Sequence, residues 1–336
     1  MKEAMFFEKL GDTKVRCYLC RHHCIIADGK KGICRVRENR RGILYSLVYR
    51  KLVSENIDPI EKKPLYHFYP GTTSFSVATV GCNFKCLNCQ NYEISQLPEN
   101  YEQIVGRDVA PERIVEEALG YHCKSIAYTY TEPTIFFEYA YEIAKIADNK
   151  SIKNVFVTNG YITREALTTI KPYLHAANVD MKSFSRETYK KLCGAQLDGV
   201  IDCIRSYKEM GIWIEITTLI IPGINDSESE LRQIAGFIRS LGPEVPWHVS
   251  RFYPGYRLIE KPPTSVDTLR MAREIGLEAG LRYVYEGNVP GEGGEDTYCY
   301  ACKKTLIKRY GYQIVENNII NSRCPACNTS IDGIGM

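Results

Sequence analysis

The chain has no run of five like charges, no internal repeat and no low-complexity tract. It also has no apolar stretch approaching the ~20 residues that cross a bilayer, the best being the short IEITTLIIPG run. Its first residues, MKEAMFFEKLGDTKVRC, lack the apolar segment that would direct secretion. The net charge is only +3, so nothing argues for an electrostatic grip on nucleic acid or on a membrane surface. A cytoplasmic protein with reduced thiols is expected. With 336 residues, 44% of them hydrophobic, the chain is too long for a small disulfide scaffold and too apolar to be mainly disordered.

What the chain does have is cysteine. There are 14, and eleven fall into three groups: Cys17, Cys20, Cys24 and Cys34; Cys82, Cys86 and Cys89; and Cys299, Cys302, Cys324 and Cys327. In a reducing compartment, grouped cysteines point to metal rather than to cross-links. Cys123, Cys193 and Cys203 stand alone and read as packed core residues.

Between Ser74 and Asn288, short β-branched or aromatic runs alternate with helical ones. Seven strands are predicted: FSVATV from Phe75, SIAYTY from Ser125, NVFVTN from Asn154, ANVDMK from Ala177, IWIEITTLII from Ile212, WHVSRF from Trp247 and YVYEG from Tyr283. Helices between them end at Gly120, Gly211, Gly242 and Gly280, a usual stop signal. The fold class is therefore α/β, a full or partial (β/α) barrel with small cysteine-rich metal modules at both termini. A doubly wound open sheet is the alternative. The expected domains are an N-terminal module and connector over residues 1–70, the barrel over 71–290, and a C-terminal zinc-ribbon or rubredoxin-like module over 291–336.

The sharpest signal is Cys82-x3-Cys86-x2-Cys89, directly after the first core strand, where barrel loops form the functional face. Three cysteines are one short of a closed zinc site or a fully thiolate-held iron-sulfur cluster. A loop of this spacing can bind three irons of a cubane and leave the fourth open to a small chelating ligand. A zinc site completed by a distant residue is the competing reading.

GCNFKCLNCQN resembles the cluster loop of radical S-adenosylmethionine (SAM) enzymes, and the likeness runs from about residue 1 to 290 through DPIEKKPLYHFYPGT, YTYTEPTIFFEYA, VTNGY, VDMKSF, LIIPGIND and WHVSRFYPGY. The chain is most similar to the radical SAM member of the AmmeMemoRadiSam group, itself similar to glycyl-radical-enzyme activases. The resemblance implies a [4Fe-4S] cluster on Cys82, Cys86 and Cys89, whose open iron binds SAM and cleaves it to a 5′-deoxyadenosyl radical. It further implies SAM contacts from Glu132 (amino group), Asn159 (backbone turn with Gly160), Asp180 and Lys182 (ribose and carboxylate), Glu215 (adenine-side wall, with Thr217) and His248 (near the ribose). Bland readings stand beside these. Glu132 could initiate a helix at Pro133, Asp180 and Lys182 could simply pair with each other, and His248 could be a satisfied core residue. The loop departs from the common pattern at Asn88, where an aromatic usually precedes the third cysteine; Tyr92 and Phe84 are the candidates to replace it.

The C-terminal Cys299-x2-Cys302 and Cys324-x2-Cys327 knuckles predict a closed four-thiolate site for zinc or a single iron. Metal would supply the folding energy that so small a module lacks. The N-terminal four are less diagnostic. Zinc is favoured, with an auxiliary [4Fe-4S] cluster as the alternative and His22 or His23 as substitute ligands. The expected activity is hydrogen abstraction from a small-molecule or peptide substrate, with an electron donor such as ferredoxin or flavodoxin. Glycyl-radical activation of a partner protein is the alternative, and a multi-zinc binding protein is the alternative of another class.

Overall fold

A computed structural model describes residues 1–97 and 103–336. Its centre is an eight-stranded sheet: β1 (Ser54–Pro59), β2 (Thr73–Ala78), β3 (Ser125–Tyr128), β4 (Lys153–Thr158), β5 (Ala176–Asp180), β6 (Trp213–Ile220), β7 (Trp247–Arg251) and β8 (Val284–Gly287). The strands lie side by side in chain order. β2 to β8 are parallel, and β1 joins the β2 edge antiparallel. A doubly wound sheet would need a point where the order reverses. None exists among the described residues, so the sheet is a singly wound partial barrel. All seven predicted strands are present.

Helices α1 (Pro111–Gly120), α2 (Phe137–Asn149), α3 (Arg164–Ile170), α4 (Arg186–Cys193), α5 (Leu197–Glu209), α6 (Glu228–Leu241) and α7 (Val266–Glu278) fall between the parallel strands. Each carries an apolar stripe. In α6, Ser227 caps the Glu230 N–H, and Leu231, Ile234, Ala235 and Ile238 are buried at helical spacing. Alternation along the strands separates two cores. Ile126, Tyr128, Phe156, Ala177 and Val179 join the large core beneath the helices. Ala127, Val155 and Ala176 face the other way and pack against Ile60, Leu65 and Phe68 of the connector. The connector thus plugs the inside of the half-barrel, and polar residues further along each strand are left to line a cavity.

Residues 1–53 form two small three-stranded sheets, Lys2–Glu3, Ile43–Ser46 and Arg37–Arg40 in one and Phe7–Lys9, Val15–Cys17 and Ile25–Ile26 in the other. Their apolar residues, among them Val15, Leu19, Val36 and Leu44, belong to the same core as the barrel. The N-terminal module is therefore packed into the barrel by shared apolar surface. The C-terminal region is an antiparallel sheet of Thr297–Tyr298, Thr305–Tyr310 and Gln313–Asn317. It has its own small core, in which Cys299, Leu306, Cys324 and Ile331 meet Tyr66, Tyr283 and Tyr285. Among the described residues, no helix is long and apolar enough to cross a membrane.

Candidate active site

The loop that carries Cys82, Cys86 and Cys89 leaves β2 through Gly81. That residue has φ +98°, and a Cβ there would lie 2.7 Å from Val36 and 3.1 Å from the Cys34 carbonyl. The loop is held by its backbone: Lys85 N–H donates to Cys193 O (2.8 Å), Leu87 N–H to Leu192 O (2.9 Å) and Gly81 N–H to Ile94 O (2.8 Å). Phe84 is buried beneath it against Tyr161 and Tyr189. Cys89 Sγ sits 3.0 Å from Ser95 Oγ. The buried Cys193, whose carbonyl takes the Lys85 N–H, therefore lies against the loop.

All three loop cysteines line one cavity of about 470 Å³, together with Glu132, Asn159, Asp180 and Lys182. Asp180 and Lys182 project to the same side at the end of β5 and pair at 2.8 Å, while both remain on the cavity wall. Burial opposes the charge on Lys182, but Asp180 and the nearby Cys86 outweigh it and hold the ammonium protonated. Asn159 Nδ2 donates to Asn83 Oδ1 at 2.7 Å and so ties the β4 turn to the cysteine loop. Gly160, with φ +67°, makes that turn against Val179, 2.7 Å from where a Cβ would be.

Glu132 is buried and heavily engaged. Its Oε1 accepts from Thr134 N–H (3.0 Å), Thr134 Oγ1 (2.5 Å) and Thr158 Oγ1 (2.8 Å), and its Oε2 accepts from Asn159 N–H (2.8 Å). Burial nonetheless pushes its carboxyl above the usual range. The side chain therefore caps the short helix Pro133–Phe136 and fixes the turn after β4, while one acceptor position on Oε2 is left over.

Two expected contacts lie elsewhere. Glu215 and His248 do not line the cavity; they are buried a layer deeper, Nε2 to Oε2 at 2.7 Å. Glu215 also accepts from the backbone N–H groups of Tyr66 (3.0 Å) and His67 (2.8 Å). The connector occupies the inner space where the resemblance implied a ligand, and these two side chains hold it there. Tyr92 stacks on Tyr256 away from the cavity, whereas Phe84 does reach it.

Sequence reasoning missed Lys63, Asn178 and Tyr312 as wall residues, the last of them from the C-terminal sheet region. Lys63 is buried, and burial lowers its pKa to about 8 although Asp58 pairs with it at 2.6 Å. Asn88 Oδ1 and Asn159 Oδ1 are buried without partners. Orphaned acceptors beside three thiols and an ion pair fit a polar ligand and a thiolate-held group.

The C-terminal cysteines are drawn together, with all four Sγ atoms within 4.8 Å of one another. Cys299 and Cys327 are 3.6 Å apart, as are Cys302 and Cys324. The two knuckles repeat one another: Lys303 N–H returns to Cys299 O and Asn328 N–H to Cys324 O, both at 2.9 Å. Lys303 and Asn328 both adopt positive φ, +64° and +59°. Such a set can bind one metal ion. Among the described residues no other group of three or more metal-binding side chains has this spacing. The N-terminal four instead line a separate small pocket.

A partial parallel barrel thus sets three thiols, a buried carboxylate and an ion pair around one polar cavity, a set that could hold a thiolate-bound group and a polar ligand. The comparisons with known proteins agree. The radical SAM superfamily matches residues 76–237. The chain is 48% identical over 335 residues to an uncharacterized protein of Methanocaldococcus jannaschii, covering 99% of each. It is 22% identical over 167 residues to the pyruvate formate-lyase-activating enzyme of Clostridium pasteurianum, covering 48% of this chain and 67% of that one. In structure it is similar to a radical SAM methyltransferase from Sphaerobacter thermophilus, with a TM-score of 0.51 and 15% identity over 66% of this chain and 68% of that one. The chain belongs to the radical SAM superfamily. Members of that superfamily are enzymes, and the fold implies a [4Fe-4S] cluster and SAM.

Proposed function

We propose that Cys82, Cys86 and Cys89 hold three irons of a [4Fe-4S] cluster, that SAM binds in the adjoining cavity, and that the enzyme abstracts hydrogen from a small-molecule or peptide substrate. One observation carries the reading: the three thiols, Asn159 and the Asp180–Lys182 pair line a single cavity. When bound and reduced, the cluster supplies the electron that cleaves SAM to methionine and a 5′-deoxyadenosyl radical. The chain's own residues bind and orient. Lys182 offers its ammonium to the SAM carboxylate and Asp180 accepts from the ribose hydroxyls, and their pairing at 2.8 Å keeps both charges satisfied before SAM arrives. Glu132 sets the turn that carries Asn159 and has one oxygen position left for the SAM amino group. Glu215 and His248 act at a distance from SAM, as positioning residues for the connector. A one-electron donor of the ferredoxin or flavodoxin class supplies the reducing equivalent, and the setting is cytoplasmic.

The test is anaerobic reconstitution followed by reduction in the presence of SAM. 5′-Deoxyadenosine should form with the wild-type chain and fall to background when Cys82, Cys86 and Cys89 are all replaced by alanine. Persistence of the product in that variant would overturn the reading.

The likeness to a pyruvate formate-lyase-activating enzyme supports a second reading, in which the radical is passed to a glycine of a partner protein. Tyr312 on the cavity wall favours the first, because the C-terminal region then shares the space a partner's glycine loop would enter. Deuterium recovered in deoxyadenosine from a labelled small substrate supports the first reading; a glycyl-radical signal on a partner polypeptide supports the second.

A further inference from the structure

The N-terminal four cysteines form a site unlike the C-terminal one, and four observations bear on what it holds. First, Cys17, Cys20, Cys24 and Cys34 all line one pocket, whose remaining walls include Leu19, Ile26, Ile33 and Ile135. Second, their sulfurs are not gathered to single-ion spacing. A tetrahedral zinc with bonds of about 2.3 Å places its thiolates less than about 4 Å apart, as in the C-terminal pairs at 3.6 Å. Among the described residues only the C-terminal group has three or more metal-binding atoms within 4.8 Å of one another.

Third, the buried Arg37 also faces this pocket. Its Nη2 donates to Glu138 and to Met5 O, both at 2.7 Å, yet its Nε is buried with no partner. An unpaired N–H donor costs free energy unless an acceptor fills the pocket, and the thiolate or sulfide sulfurs of a bound metal group are such acceptors. Fourth, the pocket adjoins the catalytic loop. His22 Nε2 hydrogen-bonds Asn83 O at 2.8 Å. Cys34 and Cys82 line a common cavity of about 420 Å³. The carbonyl of Cys34 also stands 3.1 Å from where a Cβ on Gly81 would be.

We propose that Cys17, Cys20, Cys24 and Cys34 bind a second [4Fe-4S] cluster, fully thiolate-held, adjacent to the three-cysteine site and poised to pass it single electrons. One electron from an external low-potential carrier reduces this cluster from its 2+ to its 1+ state. Transfer to the loop-bound cluster reoxidises the first and reduces the second by the same one electron. The N-terminal site does not depend on SAM binding, so it can fail or hold separately from the proposed activity.

The experiment is anaerobic reconstitution of the full chain with metal analysis, Mössbauer spectroscopy and EPR. The wild type should hold about eight cubane irons per chain, and the Cys82→Ala, Cys86→Ala, Cys89→Ala variant about four. About four in the wild type, about none in that variant, and zinc retained by the N-terminal group would overturn the proposal. Mössbauer spectra separate cubane iron from any single iron bound at the C-terminal knuckles. The EPR spectrum of the fully reduced wild type should show spin coupling between the clusters. A spectrum equal to the sum of the triple variant and a Cys20→Ala, Cys24→Ala variant would overturn the adjacency.

Discussion

The two ends of the chain each carry four cysteines, but the protein treats them differently. At the C-terminus the four sulfurs are already at single-ion spacing, on two knuckles of matching backbone form, in a unit whose own core is a few side chains. At the N-terminus the four sulfurs line a small, mainly apolar pocket without gathering to that spacing, and the surrounding sheets share the large core of the barrel. The difference is one of what holds the fold. The C-terminal unit has few apolar contacts beside a cysteine group that can bind one metal ion, whereas the N-terminal unit is fixed by burial, with its cysteines next to the loop of Cys82, Cys86 and Cys89.

Metal removal should separate the two ends most. Structural zinc contributes on the order of 10 kcal/mol or more to small four-ligand modules. Chelation should therefore abolish hydrogen-exchange protection across Thr305–Tyr310 and Gln313–Asn317 while leaving Ile43–Ser46 protected. Equal loss at both ends would erase the contrast.

The next effect lies at the N-terminus. Arg37 and Glu138 form an ion pair at 2.7 Å, with their side chains 2% and 1% exposed. Arg37→Met leaves the buried Glu138 carboxylate with only the Met5 N–H (2.7 Å) and no counter-charge, and should cost about 3 to 5 kcal/mol in denaturant unfolding. A cost below about 1 kcal/mol would mean that the module is not welded to the barrel as described.

A smaller effect is set by pH. His67 links the connector to both neighbours, through Asp332 O at 2.6 Å and Tyr285 OH at 2.5 Å. Burial lowers its pKa from 6.5 to about 4, although Glu215 pulls the other way. The unfolded chain therefore binds this proton more readily than the folded one. The stability is fully present above about pH 6.5 and is lost as pH falls toward 4, by about 2 to 3 kcal/mol. Unfolding midpoints measured across that window should fall for the wild type and flatten in His67→Gln. An unchanged slope in the variant would assign the loss to other groups.

The smallest effect belongs to the docking pair Arg282 and Asp332, at 2.8 Å but 32% and 24% exposed. Arg282→Met should cost less than about 1 kcal/mol of global stability. It should still raise exchange in the C-terminal sheet relative to the barrel strands.

The same contrast explains what was readable from the residues alone. The seven parallel strands are β-branched and bounded by glycine-ended helices, so their pattern is strong. β1 reads SENIDP, with exposed polar residues on an edge, and carries no such signal. α4 reads RETYKKLC, and its charged face hid the buried Tyr189, Leu192 and Cys193. At the site, spacing singled out Cys82, Cys86 and Cys89 as candidates and period-two alternation put Asp180 beside Lys182, and all five line one cavity. Alternation gives the face of a strand and not the depth along it. Glu215 and His248, which the resemblance offered as SAM contacts, lie in the layer that Tyr66 and His67 fill from far away in the chain. Tyr312 and Lys63 reach the cavity through tertiary packing alone, and no local pattern marks them.

The three-cysteine loop, one ligand short, is set against both complete groups, and the open iron proposed for it has a direct spectroscopic test. EPR of the reduced Cys20→Ala, Cys24→Ala variant, recorded before and after addition of SAM, isolates the loop-bound cluster. The signal should shift on addition of SAM, as an iron with a free coordination position requires. A spectrum unchanged at saturating SAM would contradict the assignment of Cys82, Cys86 and Cys89 to a SAM-binding cluster.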